Sequence, residues 1–374
     1  MPGHAGLPGV FARAAARSGP CRPGRVGAGP PLAERGEAAA PRPAAVTIWC
    51  DGPSRRPSRG GPGGLGGRVR ARTAGGERGP LRRGRGPRRA PYVPSGATPP
   101  WDEATTTSGR GNMRISGRRT FGGLAADSYG APGDRPPLVL LHGLCYDRRQ
   151  WEPVLEELET LAPDRAAIAF DLPGHGNSPR QESYRVADVA AVVHEAVTEA
   201  GLAAPVLVGH SLGGVVATAY AGTYPAAGVV NVDQPLLVGP FAQVLRQAEE
   251  DLRGPGWERV WERMVDGMRI DVLPPAAREL VRTATTPRQD LLLGYWSELL
   301  DLPAEQLGEQ RTRELNAIRA AGISYHHVTE GEPPPAYRQW LEALLPDVTL
   351  TTLPDSGHFP HLAHPARLAH LLAG

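Results

Sequence analysis

The stretch that decides the fold is VLVGHSLGGVVATAY, residues 206–220. Its first three residues are apolar β-formers, and this run stops at Gly209. A serine then precedes two further glycines, after which apolar residues recur at helical spacing. The pattern predicts a strand, a tight turn that holds Ser211, and a helix. Gly209 and Gly213 leave room where the strand and the helix must pass close to each other.

A serine in such a turn suits nucleophilic catalysis. A strained turn projects the Ser211 hydroxyl away from the backbone, where a neighbouring base can activate it. The Leu212 amide lies at the predicted helix N-terminus, where unpaired N–H groups and the helix dipole stabilise a developing oxyanion. G-x-S-x-G between a strand and a helix is the nucleophile-elbow pattern. We predict Ser211 as the nucleophile, and the alternative is a glycine-rich structural turn with an inert serine.

Strands and helices alternate on both sides of this turn. The apolar runs PPLVLLHG, RAAIAFDLPGHG and APVLVGHS predict strands that are buried on both faces, with amphipathic helices between them. The alternation pauses over residues 236–322, which hold several helical patterns, and then resumes up to the C-terminus. We predict an α/β fold, in which a parallel sheet carries helices on both faces and a helical insertion follows one strand.

The first 112 residues differ from the rest of the chain. They contain 19 arginines against 6 acidic residues, and glycine, proline and arginine dominate them. Such a segment buries too little apolar surface to offset its ordering entropy, so we predict disorder. We favour a segment without a function, such as translated leader upstream of Met113, over an arginine-rich arm for nucleic acid, because aromatic residues for base stacking are sparse. The predicted parts are 1–112, core 113–235, helical insertion 236–322 and core 323–374.

The catalytic base is predicted near the C-terminus. LPDSGHFPHLAHP, residues 353–365, contains three histidines. His358 follows a predicted strand and a Ser-Gly turn, so it can reach over the carboxyl edge of the sheet. His361 and His364 fall at the start of the next helix and fit surface or packing positions. We therefore predict His358 as the base that takes the proton of Ser211.

A second oxyanion donor is predicted at the end of the first parallel strand. In LLHGLCYDRRQW, residues 140–151, His142 and Gly143 close the strand. The Leu144 N–H would then join the Leu212 N–H at the oxyanion. A structural role fits His142 better than a catalytic one, since it precedes the turn. Cys145 has no evident base partner and is predicted to be a small lining residue.

Four motifs together resemble the α/β-hydrolase superfamily, in the branch that carries a helical lid. They are HG at 142–143, D-x-P-G-H-G-x-S at 171–178, G-H-S-L-G-G at 209–214 and S-G-H-F at 356–359. The resemblance covers about residues 118–374. It implies an eight-stranded, mostly parallel sheet, a lid at 236–322, and a catalytic triad in the order serine, acid, histidine. Ser211 and His358 match the nucleophile and the base of the family.

The acid of the triad departs from the pattern of most relatives. The strand before the last ends in VTEGEPPPAY, and the acid position of a G-x-x-D pattern, three residues past Gly331, holds Pro334. Some relatives carry the acid after the strand that precedes the lid, and Asp233 stands there in VVNVDQPL. We predict Asp233 as the acid, with Glu332 and Glu330 as alternatives. The remaining possibility is that Asp233 only caps a turn and leaves a dyad.

The predicted reaction is cleavage of an ester-like or other carbonyl substrate by a carboxylesterase-like serine hydrolase. The substrate is predicted to be a small, largely apolar molecule. The alternatives are an acyltransferase with the same triad and a small-molecule binding protein of this fold with little turnover. Aromatic lid residues can line a pocket or simply pack the lid helices. The residues that we predict to contact substrate are His142, Gly143, His210, Trp257, Trp261, Tyr295 and Trp296.

Composition limits the compartment and the partners. Three cysteines are too few and too scattered for a disulfide framework or a zinc site. No apolar run reaches the roughly 18 residues of a membrane span, and the N-terminus lacks the apolar core of a secretory signal. We predict a cytoplasmic protein that uses no cofactor or metal and binds neither nucleic acid nor membrane. Its oligomeric state does not follow from the sequence.

Overall fold

The structure is a computed structural model that describes residues 115–130 and 133–374. The predictions made for residues 1–112, disorder included, lie outside the described residues. The described chain forms one sheet with eight strands. Their bounds are β1 Ile115–Phe121, β2 Leu124–Tyr129, β3 Leu138–Leu141, β4 Ala167–Phe170, β5 Val206–His210, β6 Gly228–Val232, β7 Ser324–Thr329 and β8 Thr349–Thr352.

The sheet is mostly parallel, as the sequence predicts. The strand order is β1-β2-β4-β3-β5-β6-β7-β8. β2 runs antiparallel to both β1 and β4, whereas every later pair is parallel. The central strands β3, β4 and β6 are buried along their whole length. Continuous apolar runs therefore become central strands, because both of their faces are covered by helices.

Helices cover both faces of the sheet. The helix bounds in the core are α1 Glu152–Leu161, α2 Val186–Glu199, α3 Leu212–Ala221, α11 Pro335–Leu344, α12 Pro360–Ala363 and α13 Pro365–Ala373. On one face α1 and α13 contribute Leu155, Leu158 and Leu368 to an apolar layer. On the other face α2 and α3 contribute Val193 and Val216, and the helix at Ala304–Ala321 contributes Leu315.

A helical insertion, which we define as residues 239–321, separates β6 from β7. Its amphipathic helices bury one stripe each; α6, for example, has the sequence WERVWERMVDG and buries Val260 and Trp261. The last helix ends at Gly322, whose φ of 67° is a conformation that glycine adopts readily. The bounds are α4 Gly239–Gln247, α5 Glu249–Arg253, α6 Trp257–Gly267, α7 Pro275–Thr283, α8 Gln289–Tyr295, α9 Ser297–Asp301 and α10 Ala304–Ala321.

Strand register brings three chain segments together at the carboxyl edge of the sheet. Leu141 of β3 pairs with Gly209 of β5, and His210 pairs with Val232 of β6. The residues that follow these strands therefore begin side by side, and Ser211 and Asp233 are among them. In the described part of the chain, no helix is long and apolar enough to span a bilayer.

Candidate active site

The turn between β5 and α3 holds Ser211 in a strained conformation. Its φ is 51° and its ψ is −121°, a region that residues with a side chain rarely adopt. Steric constraints require glycine at both flanking positions, 209 and 213. A Cβ at position 209 would lie 2.1 Å from the carbonyl oxygen of Gly213, and one at position 213 would lie 2.2 Å from that of Leu141. The turn thus excludes any larger residue on both sides of the serine.

Backbone strain concentrates around this turn. Within residues 115–130 and 133–374, five residues other than glycine have positive φ: Cys145, Ser211, Asp233, Arg269 and Asp355. The first three follow the adjacent strands β3, β5 and β6. The other two lie in or beside the segments that hold His358. Such conformations cost about 1–3 kcal/mol each and concentrate at functional sites, where the surrounding structure enforces them.

His358 and Asp233 form a hydrogen-bonded pair. The His358 Nδ1 atom lies 2.7 Å from Asp233 Oδ2. The other carboxylate oxygen of Asp233 accepts a bond of 3.4 Å from the Glu330 amide. The Asp233 amide donates to the Val328 carbonyl at 2.7 Å, so the end of β7 fixes its backbone. A carboxylate at Nδ1 favours the tautomer that carries its proton on Nδ1, in which the lone pair of the imidazole lies on Nε2.

The two glutamates considered as alternative acids lie in other interactions. The Glu330 carboxylate bonds to the Arg269 guanidinium at 2.6 Å and accepts from the Gly357 amide at 3.1 Å. The Glu332 carboxylate faces Arg338 at 3.3 Å, on the exposed surface. The structure therefore brings Asp233, and neither glutamate, to the imidazole of His358.

The loop that carries His358 is tied to the helical insertion. The His358 amide donates to the carbonyl of Met268 at 2.9 Å. A Cβ on Gly357 would lie 2.6 Å from the same carbonyl, so the two segments touch backbone to backbone. Glu330 bridges them a second time, through Arg269 on one side and the Gly357 amide on the other.

Within residues 115–130 and 133–374, the loop after β3 presents one backbone amide that donates to no acceptor. Gly143 donates to Gln150 Oε1 at 3.4 Å, Cys145 to His175 Nε2 at 3.0 Å, and Tyr146 to the Gly143 carbonyl at 3.2 Å. Among the described residues, no acceptor receives the Leu144 amide between them. The Leu212 amide is the first of α3 and has no intrahelical acceptor. Both leucines line the same cavity as Ser211, which suits the oxyanion-hole prediction.

The histidine of the HG motif is a structural residue in this geometry. His142 is fully buried, and its Nε2 accepts from the Leu172 amide at 2.9 Å. Its Nδ1–H therefore donates to the Gly143 carbonyl at 2.8 Å. Burial lowers the pKa of His142, which keeps the ring neutral. The bond from Leu172 joins the loop after β4 to the loop after β3, and the bond to Gly143 fixes the ring within the latter loop.

A cavity opens beside Ser211 and His358, with about 920 Å³ of empty space when its mouth is included. Three of the residues predicted to contact substrate lie in its wall: Trp261, Tyr295 and Trp296. The structure does not place the other four there. His142 and His210 are fully buried elsewhere, and Gly143 and Trp257 lie outside the wall as well.

Most of the remaining wall is apolar and was not predicted from sequence. It includes Leu236, Val238, Phe241 and Leu307. No local signal identifies such residues, because their helices bury apolar stripes whether or not a cavity lies behind them. The polar residues in the wall are Gln234, Glu298, Gln310 and Arg311. Because apolar residues make up most of the wall, the cavity suits a largely apolar molecule.

Cys145 does not line the cavity, contrary to the prediction. Its side chain is fully buried in the apolar core, and burial raises the pKa of the thiol to about 12. A thiol in that state is not a competing nucleophile. Within the described ranges, no group of three or more histidine, cysteine or acidic side chains is arranged to hold a metal ion.

This fold and this site define a class of protein. A mostly parallel sheet carries a strained serine after β5 and an acid–histidine pair at the same edge, with a helical insertion before β7. The chain matches the model of the alpha/beta hydrolase family over residues 138–371, and it belongs to that family.

Individual proteins are similar to this chain in sequence or in fold. "Putative carbamate hydrolase RutD" of Shigella flexneri serotype 5b (strain 8401) is 28% identical over 255 residues, which cover 64% of this chain and 90% of the relative. A thermophilic esterase from Thermogutta terrifontis shares the fold with a TM-score of 0.53 and 23% identity, over 72% of this chain and 94% of the esterase. AqDC, described as recognising and cleaving the ring of the Pseudomonas quinolone signal, has a TM-score of 0.58 and 18% identity, over 69% and 97%.

Proposed function

We propose that this protein is a serine hydrolase for small, largely apolar carbonyl substrates. The observation that carries the proposal is that His358, which is hydrogen-bonded to Asp233, lines the same cavity as the strained Ser211. Ser211 attacks the substrate carbonyl, and His358 takes its proton. Asp233 fixes the tautomer and direction of the imidazole and stabilises its charged form. The amides of Leu144 and Leu212 bind the oxyanion, and removal of one such donor typically costs about 10²–10³ in kcat.

Water then releases the acyl group from Ser211, with His358 acting again as base. The helical insertion acts as the lid that walls the cavity and selects the substrate by size and polarity. Its apolar wall favours acyl or alkyl groups without charge. The similarity to a relative named for carbamate hydrolysis adds carbamates to esters, thioesters and lactones as substrates to be tested.

The test is a panel of p-nitrophenyl esters of increasing acyl length, together with a p-nitrophenyl carbamate. We expect saturable turnover by the full-length protein and at least a 10³-fold loss of kcat in Ser211→Ala. A fluorophosphonate probe should label Ser211 in the wild type and nothing at that position in the variant. Turnover that survives Ser211→Ala would remove the serine from the mechanism. Saturable binding of these esters without turnover would instead indicate a binding protein.

A further inference from the structure

His210, the residue directly before Ser211, contacts the whole segment that carries the general base. Its ring centroid lies 4.8 Å from that of His358, 5.3 Å from that of Phe359 and 4.3 Å from that of His361. The segment 358–361 thus wraps around one imidazole. That imidazole is fully buried at the end of β5 and does not reach the cavity.

One hydrogen bond joins this imidazole to the backbone of the base itself. His210 Nε2 lies 2.7 Å from the His358 carbonyl oxygen. A carbonyl only accepts, so Nε2 carries the proton and donates it. His210, the residue directly before Ser211, is therefore hydrogen-bonded to the backbone of the proposed base, His358, although 147 residues separate the two in the sequence.

The opposite side of the ring touches the oxyanion loop. A Cβ on Gly143 would lie 3.0 Å from His210 Nδ1 and 3.4 Å from the Ser211 Cβ. His210 accordingly contacts all three loops of the site: the one with the oxyanion amide, its own, and the one with His358. Burial, with the neighbouring imidazoles of His361 and His358, lowers the pKa of His210 well below its usual value. The ring is therefore neutral at pH 7, with its single proton on Nε2.

A purely space-filling role does not account for an imidazole at this position. Nδ1 is buried and finds no hydrogen-bond partner in the part of the chain that the structure describes. An unsatisfied buried polar atom destabilises the folded state, and an apolar side chain of similar size would avoid this penalty. The imidazole compensates for the unsatisfied Nδ1 because its Nε2–H donates a hydrogen bond to the His358 carbonyl.

We propose that His210 is a positioning residue that sets the distance between the His358 imidazole and the Ser211 hydroxyl. The inference rests on the proposed serine-hydrolase function. A displacement of about 1 Å in a reacting group can cost about 10²-fold in rate. Loss of the bond should therefore lower kcat and leave the substrate cavity, and with it KM, unchanged.

The test compares two substitutions of nearly equal shape, His210→Gln and His210→Met, because only glutamine retains a donor at the position of Nε2. With p-nitrophenyl butyrate we expect His210→Met to lose about 10- to 100-fold in kcat, with KM within about twofold of wild type. We expect His210→Gln to recover kcat to within about threefold. If His210→Met does not fold, His210→Asn replaces it, since its amide is too short to reach the carbonyl. Equal kcat in the Gln and Met variants, whether high or low, would overturn the proposal.

A matched control removes another histidine hydrogen bond outside the site. His326 on β7 bonds to Thr351 Oγ1 at 2.8 Å, and its Met and Gln variants should have the kcat of the wild type. A measurement that does not depend on catalytic turnover distinguishes a failure of this inference from a failure of the proposed function. The low-field proton resonance between His358 and Asp233, assigned by its loss in Asp233→Asn, should be sharp in wild type and His210→Gln and broadened in His210→Met. An unchanged resonance in His210→Met would refute the positioning role, even if Ser211 proved inert.

Discussion

Replacing Asp233 by asparagine tests the triad most directly, because the structure fixes how the new amide would sit. One carboxylate oxygen of Asp233 accepts from the Glu330 amide, and the other faces His358 Nδ1. In Asp233→Asn the amide oxygen must stay with the Glu330 N–H, since an NH₂ group there would face another donor. The NH₂ group then points at Nδ1 and forces the imidazole proton onto Nε2.

A proton on Nε2 prevents His358 from accepting the proton of Ser211. Loss of the correct tautomer costs about 10⁴ in kcat in a triad of this kind. We expect a 10³- to 10⁴-fold fall here, equivalent to about 4–5.5 kcal/mol of transition-state stabilisation. The geometry is otherwise retained, so KM and the midpoint of thermal unfolding should change little.

The assay is the initial rate of p-nitrophenyl butyrate hydrolysis at saturating substrate, with Glu332→Gln as the matched control. Glu332 lies on the surface beside Arg338, and its variant should retain wild-type kcat. Activity of Asp233→Asn within tenfold of wild type would refute the tautomer reasoning. If Glu332→Gln were the variant that lost activity, the acid would have to be reassigned to that residue.

Three further predictions follow from packing and titration. Gly213→Ala should lower the thermal unfolding midpoint by more than 10 °C or abolish folding, because its Cβ would meet the Leu141 carbonyl, whereas Gly308→Ala in α10, with open space around it, should stabilise by about 0.5–1 kcal/mol. Trp261→Ala, which enlarges the cavity, should raise kcat/KM for octanoate relative to butyrate esters about tenfold, whereas Trp257→Ala on the same helix should not; equal ratios would contradict the assigned wall. Burial lowers the pKa of His327 to about 4, so its contribution to stability is present above pH 6.5 and is lost as the pH falls toward 4. In urea unfolding between pH 4.5 and 6, His327→Leu should reduce the slope of the unfolding free energy against pH by up to about 1.4 kcal/mol per pH unit, and an unchanged slope would show that His327 already titrates in the folded state.

The sequence predicts most of the fold because its local patterns agree with the final packing. Apolar runs that are continuous rather than alternating become the buried strands β3, β4 and β6. The turn at Ser211 is predictable for the same reason, since its glycines are demanded by contacts within a few residues or between neighbouring strands. The helix predicted after this turn is also present, as α3, which begins at Leu212 and ends at Ala221.

Long-range contacts mark the limit of sequence reasoning in the site. Strand register brings Asp233 beside Ser211, and this was accessible from the place of Asp233 after β6. The bond from His210 to the His358 carbonyl joins residues far apart in the chain and leaves no periodic signal. The same holds for the cavity wall. Trp261 and Trp257 lie on one helix, four residues apart, and only the packing of the insertion decides which of them faces the cavity.

The backbone hydrogen bond between Met268 and His358 joins the helical insertion to the loop of the proposed base, and this link has a consequence for ligand entry. If residues 268 and 269 move outward to admit a ligand, they displace the loop that carries His358. The imidazole of His358 then loses its alignment with Ser211. On the proposed function, Ser211 would then be activated only when the insertion lies over the bound molecule. Entry without this loss of alignment must use another stretch of the insertion, and α4, where Val244 exposes 41% of its surface, lies outside this coupling. One hydrogen bond between main-chain atoms can thus link substrate entry to the alignment of the proposed base.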